Sequence, residues 1–139
     1  MLAVGKYMKL ATTVHDWYDF EHEIWKIGEE IRQLILSEHK EMNTEQTDRV
    51  CKICVDIKAK RGRQSFVMLL GKKRYKAYAD KLSSALTDED IAGHHIISTL
   101  YKMGAAQYVD QIKHCTTHSI TWIRNESKRY VEKYGAGIL

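Results

Sequence analysis

Phe66-Val67-Met68-Leu69-Leu70-Gly71 closes a run of helically spaced apolar residues on a glycine. The chain does so twice more, at Thr99-Leu100-Tyr101-Lys102-Met103-Gly104 and at Tyr130-Val131-Glu132-Lys133-Tyr134-Gly135. The three glycines lie 33 and 31 residues apart. A second echo falls between them at a spacing of 30, where Tyr78-Ala79-Asp80-Lys81-Leu82 is answered by Tyr108-Val109-Asp110-Gln111-Ile112. Two short helices recurring about every 30 residues are the pattern of an α-solenoid, in which each unit hides its apolar face only against its neighbours.

Working outward from these runs, apolar spacing predicts a first helix over 14–37. Phe20, Ile24, Ile27, Ile31, Leu34 and Ile35 form one stripe on it. Asn43 with Gln46 three residues on reads as a capping box, opening a second helix to about Lys60 that buries Val50, Ile53, Cys54 and Ile57. Gly62 breaks the pattern before Arg63–Leu70, and a helix after Gly71 carries Tyr75, Tyr78, Ala79, Leu82 and Leu86 on one side. Thr87-Asp88-Glu89-Asp90 places a hydroxyl cap before acids that suit a helix N-terminus, opening a helix to Met103. Short and long helices over 107–114 and 121–134 bring the expected count to seven, with no strand.

Composition agrees. The chain has 139 residues, 44% hydrophobic and 29% charged, enough for one core and too apolar for disorder. It has no proline, which suits short helices with short connections. Nothing approaches 18 consecutive apolar residues. The mildly apolar start is broken by Lys6 and Lys9 and reads as a cytoplasmic beginning, with Met1 or Met8 as the initiator. Three cysteines, an odd set, suit reduced thiols in a cytosolic chain.

The last helix, Trp122 to Gly135, resembles the first helix of a HEAT-like (armadillo-type) repeat. There a branched apolar residue precedes an arginine, a small residue follows, and a glycine closes the helix. Ile123, Arg124, Ser127, Val131 and Gly135 occupy those places. Arg63–Gly71 is similar to a looser copy, and Asp88–Gly104 matches in length and capping with Gly93 at the arginine place. The resemblance covers 44–135. It implies an all-α, short right-handed solenoid of about three helical hairpins behind a longer N-terminal helix, within a single domain. Residues 1–13 would be a flexible start, 14–42 the capping helix and 43–135 the repeats. The resemblance also implies a binding scaffold and carries over no catalytic residue.

Charge is the best functional clue. From His15 to Glu45 nine acids face three bases, a net of −6. From Arg49 to Lys76 ten bases face Asp56 alone, a net of +9. Eight of these bases, Lys58, Lys60, Arg61, Arg63, Lys72, Lys73, Arg74 and Lys76, fall in an acid-free stretch as two clusters ~14 Å apart along one helix. They point to an anionic partner, an acidic protein surface or nucleic-acid phosphate. The competing reading is that they solvate the repeat edges or pair with the acidic N-terminal helix.

Other chemistry is thinner. Cys51-Lys52-Ile53-Cys54 has a zinc-knuckle gap, and His114-Cys115-Thr116-Thr117-His118 would have to supply the remaining ligands. Both cysteines of the first pair fall on a helix, where free cysteine packs as a small hydrophobe. His15, Asp19, His22 and Glu23 share one helix face, as a carboxylate–histidine metal enzyme would need. HEAT-type deoxyhypusine hydroxylases hold iron through repeated His-Glu pairs, and here His22-Glu23 is the only one. No nucleotide-binding, nucleophile-elbow or zinc-protease motif occurs. The expectation is a cytoplasmic, non-catalytic protein-interaction module without cofactor or membrane contact, with Trp17, Tyr18, Trp25 and Trp122 as candidate anchors. Nucleic-acid binding through 58–76 is the alternative and a metal enzyme on the His15–Glu23 face the third. A homodimer through the apolar tail Ala136–Leu139 is a further expectation.

Overall fold

The computed structural model describes residues 19–88 and 92–135, apart from the side chains of 92–94. Expectations resting on residues 1–18, on 89–91 and on 136–139 lie outside the described residues. These include the choice of initiator, His15, Asp16, Trp17 and Tyr18, part of the Thr87–Asp90 cap, and the apolar tail.

Among the described residues the chain is all-α, with seven α-helices and no strand. These are α1 (Asp19–Glu38), α2 (Thr44–Cys54), α3 (Gln64–Leu69), α4 (Ala79–Ser83), α5 (Ser98–Met103), α6 (Val109–Ile112) and α7 (Thr121–Tyr134). Tight 3-10 turns over Ile57–Arg63, Lys73–Tyr78 and Lys113–Thr117, and a π-helical turn over Ala92–Ile97, fill the gaps. None of these helices is long and apolar enough to cross a membrane.

Several helices are shorter than their apolar spacing implies, for local reasons. The capping box forms as expected at α2. Asn43 accepts from the Gln46 amide at 2.8 Å, and Gln46 accepts from the Asn43 amide at 2.9 Å. The same helix stops at Cys54 because Asp56 caps a new turn, accepting from the Lys58 amide at 3.0 Å. Lys60 then takes a positive φ of 46° and kinks the segment. Of the three closing glycines only Gly104 is left-handed, with φ 75°. There the Ala105 amide donates to the Leu100 carbonyl and the Gly104 amide to that of Tyr101, the pairing that satisfies the last carbonyls of a helix.

A continuous apolar core runs from Met42 in the first connection to Tyr130 in α7. The contacts around it step along the chain. Helix α1 packs on 57–69, α3 on 92–97, α5 on 73–83, and α7 on 92–117. Side-chain hydrogen bonds repeat this step. The Tyr78 hydroxyl donates to Asp48, 30 residues back, at 2.6 Å. Tyr108 donates to Asp80, 28 residues back. Thr99 reaches the Val67 carbonyl, 32 back, at 3.3 Å, and Tyr134 that of Tyr101, 33 back, at 2.9 Å. The sequence echo is therefore also an echo of bonding: the tyrosine of each copy ties to an aspartate of the preceding stretch.

The closest approach in the fold is between α1 and 62–66. A Cβ added at Gly28 would lie 2.1 Å from Ser65 Oγ and 3.1 Å from Phe66, and one at Gly62 2.7 Å from the Glu21 carbonyl. Ser65 in turn donates to the Trp25 carbonyl at 2.8 Å. This contact turns α1 so that Glu21, His22 and Gly28 face inward. It corrects the expected stripe: Phe20, Ile27 and Leu34 are 45%, 52% and 56% exposed, while Ile24, Ile31 and Ile35 lie partly buried against the core.

Gly28→Ala is expected to destabilise the protein by about 1–3 kcal/mol through overpacking, with partial recovery when Ser65→Gly is added, both read from urea melts. The tyrosine ladder predicts a pH dependence. The bond to Asp48 first, and burial second, push the Tyr78 hydroxyl up to about 12. Burial, then the bond to Asp80, does the same for Tyr108. The folded state thus holds these protons more tightly than the unfolded chain, so stability is full below pH 10 and falls from about 10 through about 12. Tyr108→Phe should cost about 1.5 kcal/mol at neutral pH and make that alkaline fall shallower.

Candidate functional site

The basic residues singled out from sequence do not form one free surface. Arg63 is 1% exposed. Its Nη2 lies 2.6 Å from Asp88, and its Nε donates to the Lys60 carbonyl at 2.7 Å. Arg61 reaches the buried carboxylate of Glu21 at 3.1 Å, and Lys60 sits 6.0 Å from the centre of the Phe20 ring. Lys72 pairs with Glu41, which also accepts from Tyr75 at 3.0 Å. The bond from Lys72 is the main reason that the Glu41 carboxyl is held below its ordinary value. Lys58, Lys73, Arg74 and Lys76 remain exposed. The stretch 58–76 is acid-free in sequence, but folding brings Glu21, Glu41 and Asp88 to it.

The Asp88 carboxylate, read from sequence as part of a helix start that lies partly outside the described residues, pairs with Arg63. The expected metal face on α1 is divided, since His22 is buried while Asp19 and Glu23 are exposed, and His15 lies outside the described residues. Cys51 and Cys54 are free and buried in the core. Burial pushes the Cys54 thiol far up, which makes it a packing residue rather than a nucleophile. Among the described residues no group of three or more His, Cys, Asp or Glu side chains is placed to hold a metal ion.

A site of another kind appears where α1 meets α2. The two helices diverge around a groove of about 540 Å³. Ile27, Ile31, Leu34 and Ile35 of α1 line it against Val50 and Ile53 of α2, with the buried Met42 and Phe66 also on its wall. Its rim is polar and includes Glu38, Lys40, Asn43 and Arg49. The apolar exposure continues past the groove to Phe20, so Phe20, Ile27 and Leu34 mark one line at steps of seven, roughly 21 Å long at 1.5 Å per residue. Exposed acids flank it: Asp19, Glu23, Glu30 and Glu38. Elsewhere Trp122, one of the expected anchors, is 60% exposed beside Ile120, whereas Trp25 is partly covered.

Sequence reasoning missed this groove because it assigned Phe20, Ile27 and Leu34 to the core stripe of α1. The signal was present. Helix α1 carries Phe20, Ile24, Trp25, Ile27, Ile31, Leu34, Ile35 and Leu36, more than one buried face can take, with Gly28 in the middle of the run. A glycine inside a helix is costly unless a close contact needs it.

Asp88→Ala is expected to destabilise by about 3–5 kcal/mol in thermal or urea melts, because it takes a paired carboxylate away from a buried guanidinium; Asp88→Ala/Arg63→Met should recover much of that loss. No family model, curated protein or solved structure matches the chain.

Proposed function

We propose that the protein is a non-catalytic protein-interaction module, a small HEAT-like scaffold that receives an amphipathic helix of a partner in the groove between α1 and α2. The observation that carries this reading is the line Phe20, Ile27 and Leu34, exposed on a well-packed chain. Exposed apolar residues in a row are costly in water and mark a surface that is covered in use. Their spacing of seven is the seam of helix against helix, and its length exceeds what a small molecule spans. Exposed acids beside the seam call for lysines or arginines flanking the partner's apolar stripe. The solenoid arrangement is part of the same proposal, supported by the hydrogen bonds that step back by 28 to 33 residues. Under this reading α1 is the N-terminal capping helix, and among the described residues no further repeat packs on its outer face.

The test is Ile27→Asp/Leu34→Asp. Both positions are exposed, so stability should change by no more than about 0.5 kcal/mol. The variant should lose most of the bis-ANS fluorescence of the wild type, and should lose the partner trapped by a photo-crosslinking residue at Leu36. Unchanged dye binding and crosslinking would sink the proposal. A concentration-dependent dimer that the same variant abolishes would give the groove to a second copy of this chain instead.

A further inference from the structure

A second surface, away from the groove, gathers cations instead of cancelling them. Arg129 Cζ lies 4.3 Å and Lys133 Nζ 4.8 Å from the centre of the Tyr101 ring, and Lys133 is also 5.5 Å from that of Tyr134. Two like charges four residues apart on one helix repel each other, yet here one tyrosine holds both. The ring is itself fixed, because Tyr134 donates to the Tyr101 carbonyl at 2.9 Å and the two rings meet edge to face. Lys102 follows Tyr101, and its side chain runs over Gly71, where an added Cβ would lie 3.2 Å from Lys102 Cδ. Lys73 and Arg74 lie two and three residues on from Gly71, both exposed, with Arg74 5.5 Å from the Tyr75 ring. Residues 71–76, 101–104 and 128–135, which meet around α5, hold eight bases and one acid, Glu132, and of the eight Lys72 is paired with Glu41. Among the described residues Lys73, Arg74, Lys102, Arg129 and Lys133 take part in no ion pair.

Helix dipoles account for part of this, since Lys102 and Lys133 stand in the last turns of α5 and α7. They do not account for Arg129, a turn further in, or for two cations over one ring. We propose that this edge binds nucleic acid through its phosphates. Cations on three neighbouring segments, at about 8–10 Å between axes, extend over roughly 20 Å. A nucleic-acid strand offers a charge every 3.4 Å or so over that length, whereas a free phosphate would engage one segment. Trp122, 60% exposed, stands seven residues before Arg129 on the same face of α7, but within 71–76, 101–104 and 128–135 the edge carries no exposed large apolar residue of the kind on which protein interfaces centre. It has the polar, strongly positive character of a nucleic-acid interface. The face of Tyr101 is taken by cations rather than open to a base, which assigns the contact to the backbone and makes it independent of sequence.

The experiment uses the full chain and fluorescein-labelled 20-residue single strands and 20-base-pair duplexes of DNA and RNA. Affinities are read by anisotropy between 50 and 200 mM salt. Lys102→Gln/Arg129→Gln/Lys133→Gln should lose tenfold or more in affinity and flatten the duplex salt slope by about 2.7, at roughly 0.9 for each phosphate no longer neutralised. A control with the same loss of charge, Lys52→Gln/Lys58→Gln/Lys113→Gln, should stay within threefold of wild type. Circular dichroism establishes that both variants fold. Equal losses in the two variants, or no salt-dependent binding by the wild type, would overturn the proposal. Tighter binding of a labelled polyglutamate peptide, abolished by the first variant, would overturn it too and assign the edge to an acidic protein.

Discussion

A tyrosine hydroxyl that reaches back about 30 residues to a carboxylate is the interaction on which the rest of this structure depends. Tyr78 makes it to Asp48 and Tyr108 to Asp80. Helices of four to six residues, such as α3 to α6, do not hold their shape alone in water. They persist because each apolar face, Ala79 and Leu82 in one copy and Val109 and Ile112 in the next, is buried against a neighbour whose position the tyrosine sets. The bond supplies register where apolar contact supplies most of the energy, since burying such side chains is worth ~2 kcal/mol each and tolerates sliding. A hydroxyl that must find one carboxylate does not.

At the N-terminal end a different constraint takes over. Helix α1 is pressed onto 57–66 through two glycines, Gly28 and Gly62, and through the buried pair of Glu21 with Arg61. Burying a charge is tolerable only with its counterion in place, so this pair fixes the rotation of α1 as firmly as the glycines fix its distance. Rotation has a consequence for function. Once Glu21, His22 and Gly28 face the core, the line of Phe20, Ile27 and Leu34 must face out. The groove beside α2 is thus the outer side of the same contact that anchors α1.

The all-helical class, the seven segments and the Asn43–Gln46 cap could be read from the residues, because apolar spacing and local capping are properties of short stretches. The 30-residue echo was legible too, and the structure gives it a physical basis in the tyrosine bonds. Helix ends were less legible. Asp56 and Lys60 end the second helix by a side-chain cap and a kink, where periodicity alone runs on to Lys60. The basic set at 58–76 was visible as composition, but its neutralisation was not, since Glu21, Glu41 and Asp88 are brought to it by folding from up to 40 residues away. The cations over Tyr101 were hidden for the same reason, being 28 and 32 residues from that ring in sequence.

Charge along the chain then takes on a simple logic. The acids of the first 48 residues are not matched one for one by the bases that follow. Glu21 and Glu41 engage Arg61 and Lys72, and Asp88 engages Arg63, so three bases of the stretch are consumed in ion pairs that tie distant parts of the chain together. Lys73 and Arg74 lie further along, on the edge formed by Gly71, Lys102 and α7, where the segments 71–76, 101–104 and 128–135 hold a single acid, Glu132. Attraction between unlike charges thus holds one end of the molecule together, while at the other end tyrosine rings hold like charges side by side. Repulsion of that kind lowers stability, and an anion from outside would relieve it. The two proposals divide along the same line: an apolar, acid-flanked groove is proposed for a helix, and a cationic edge for a charged polymer.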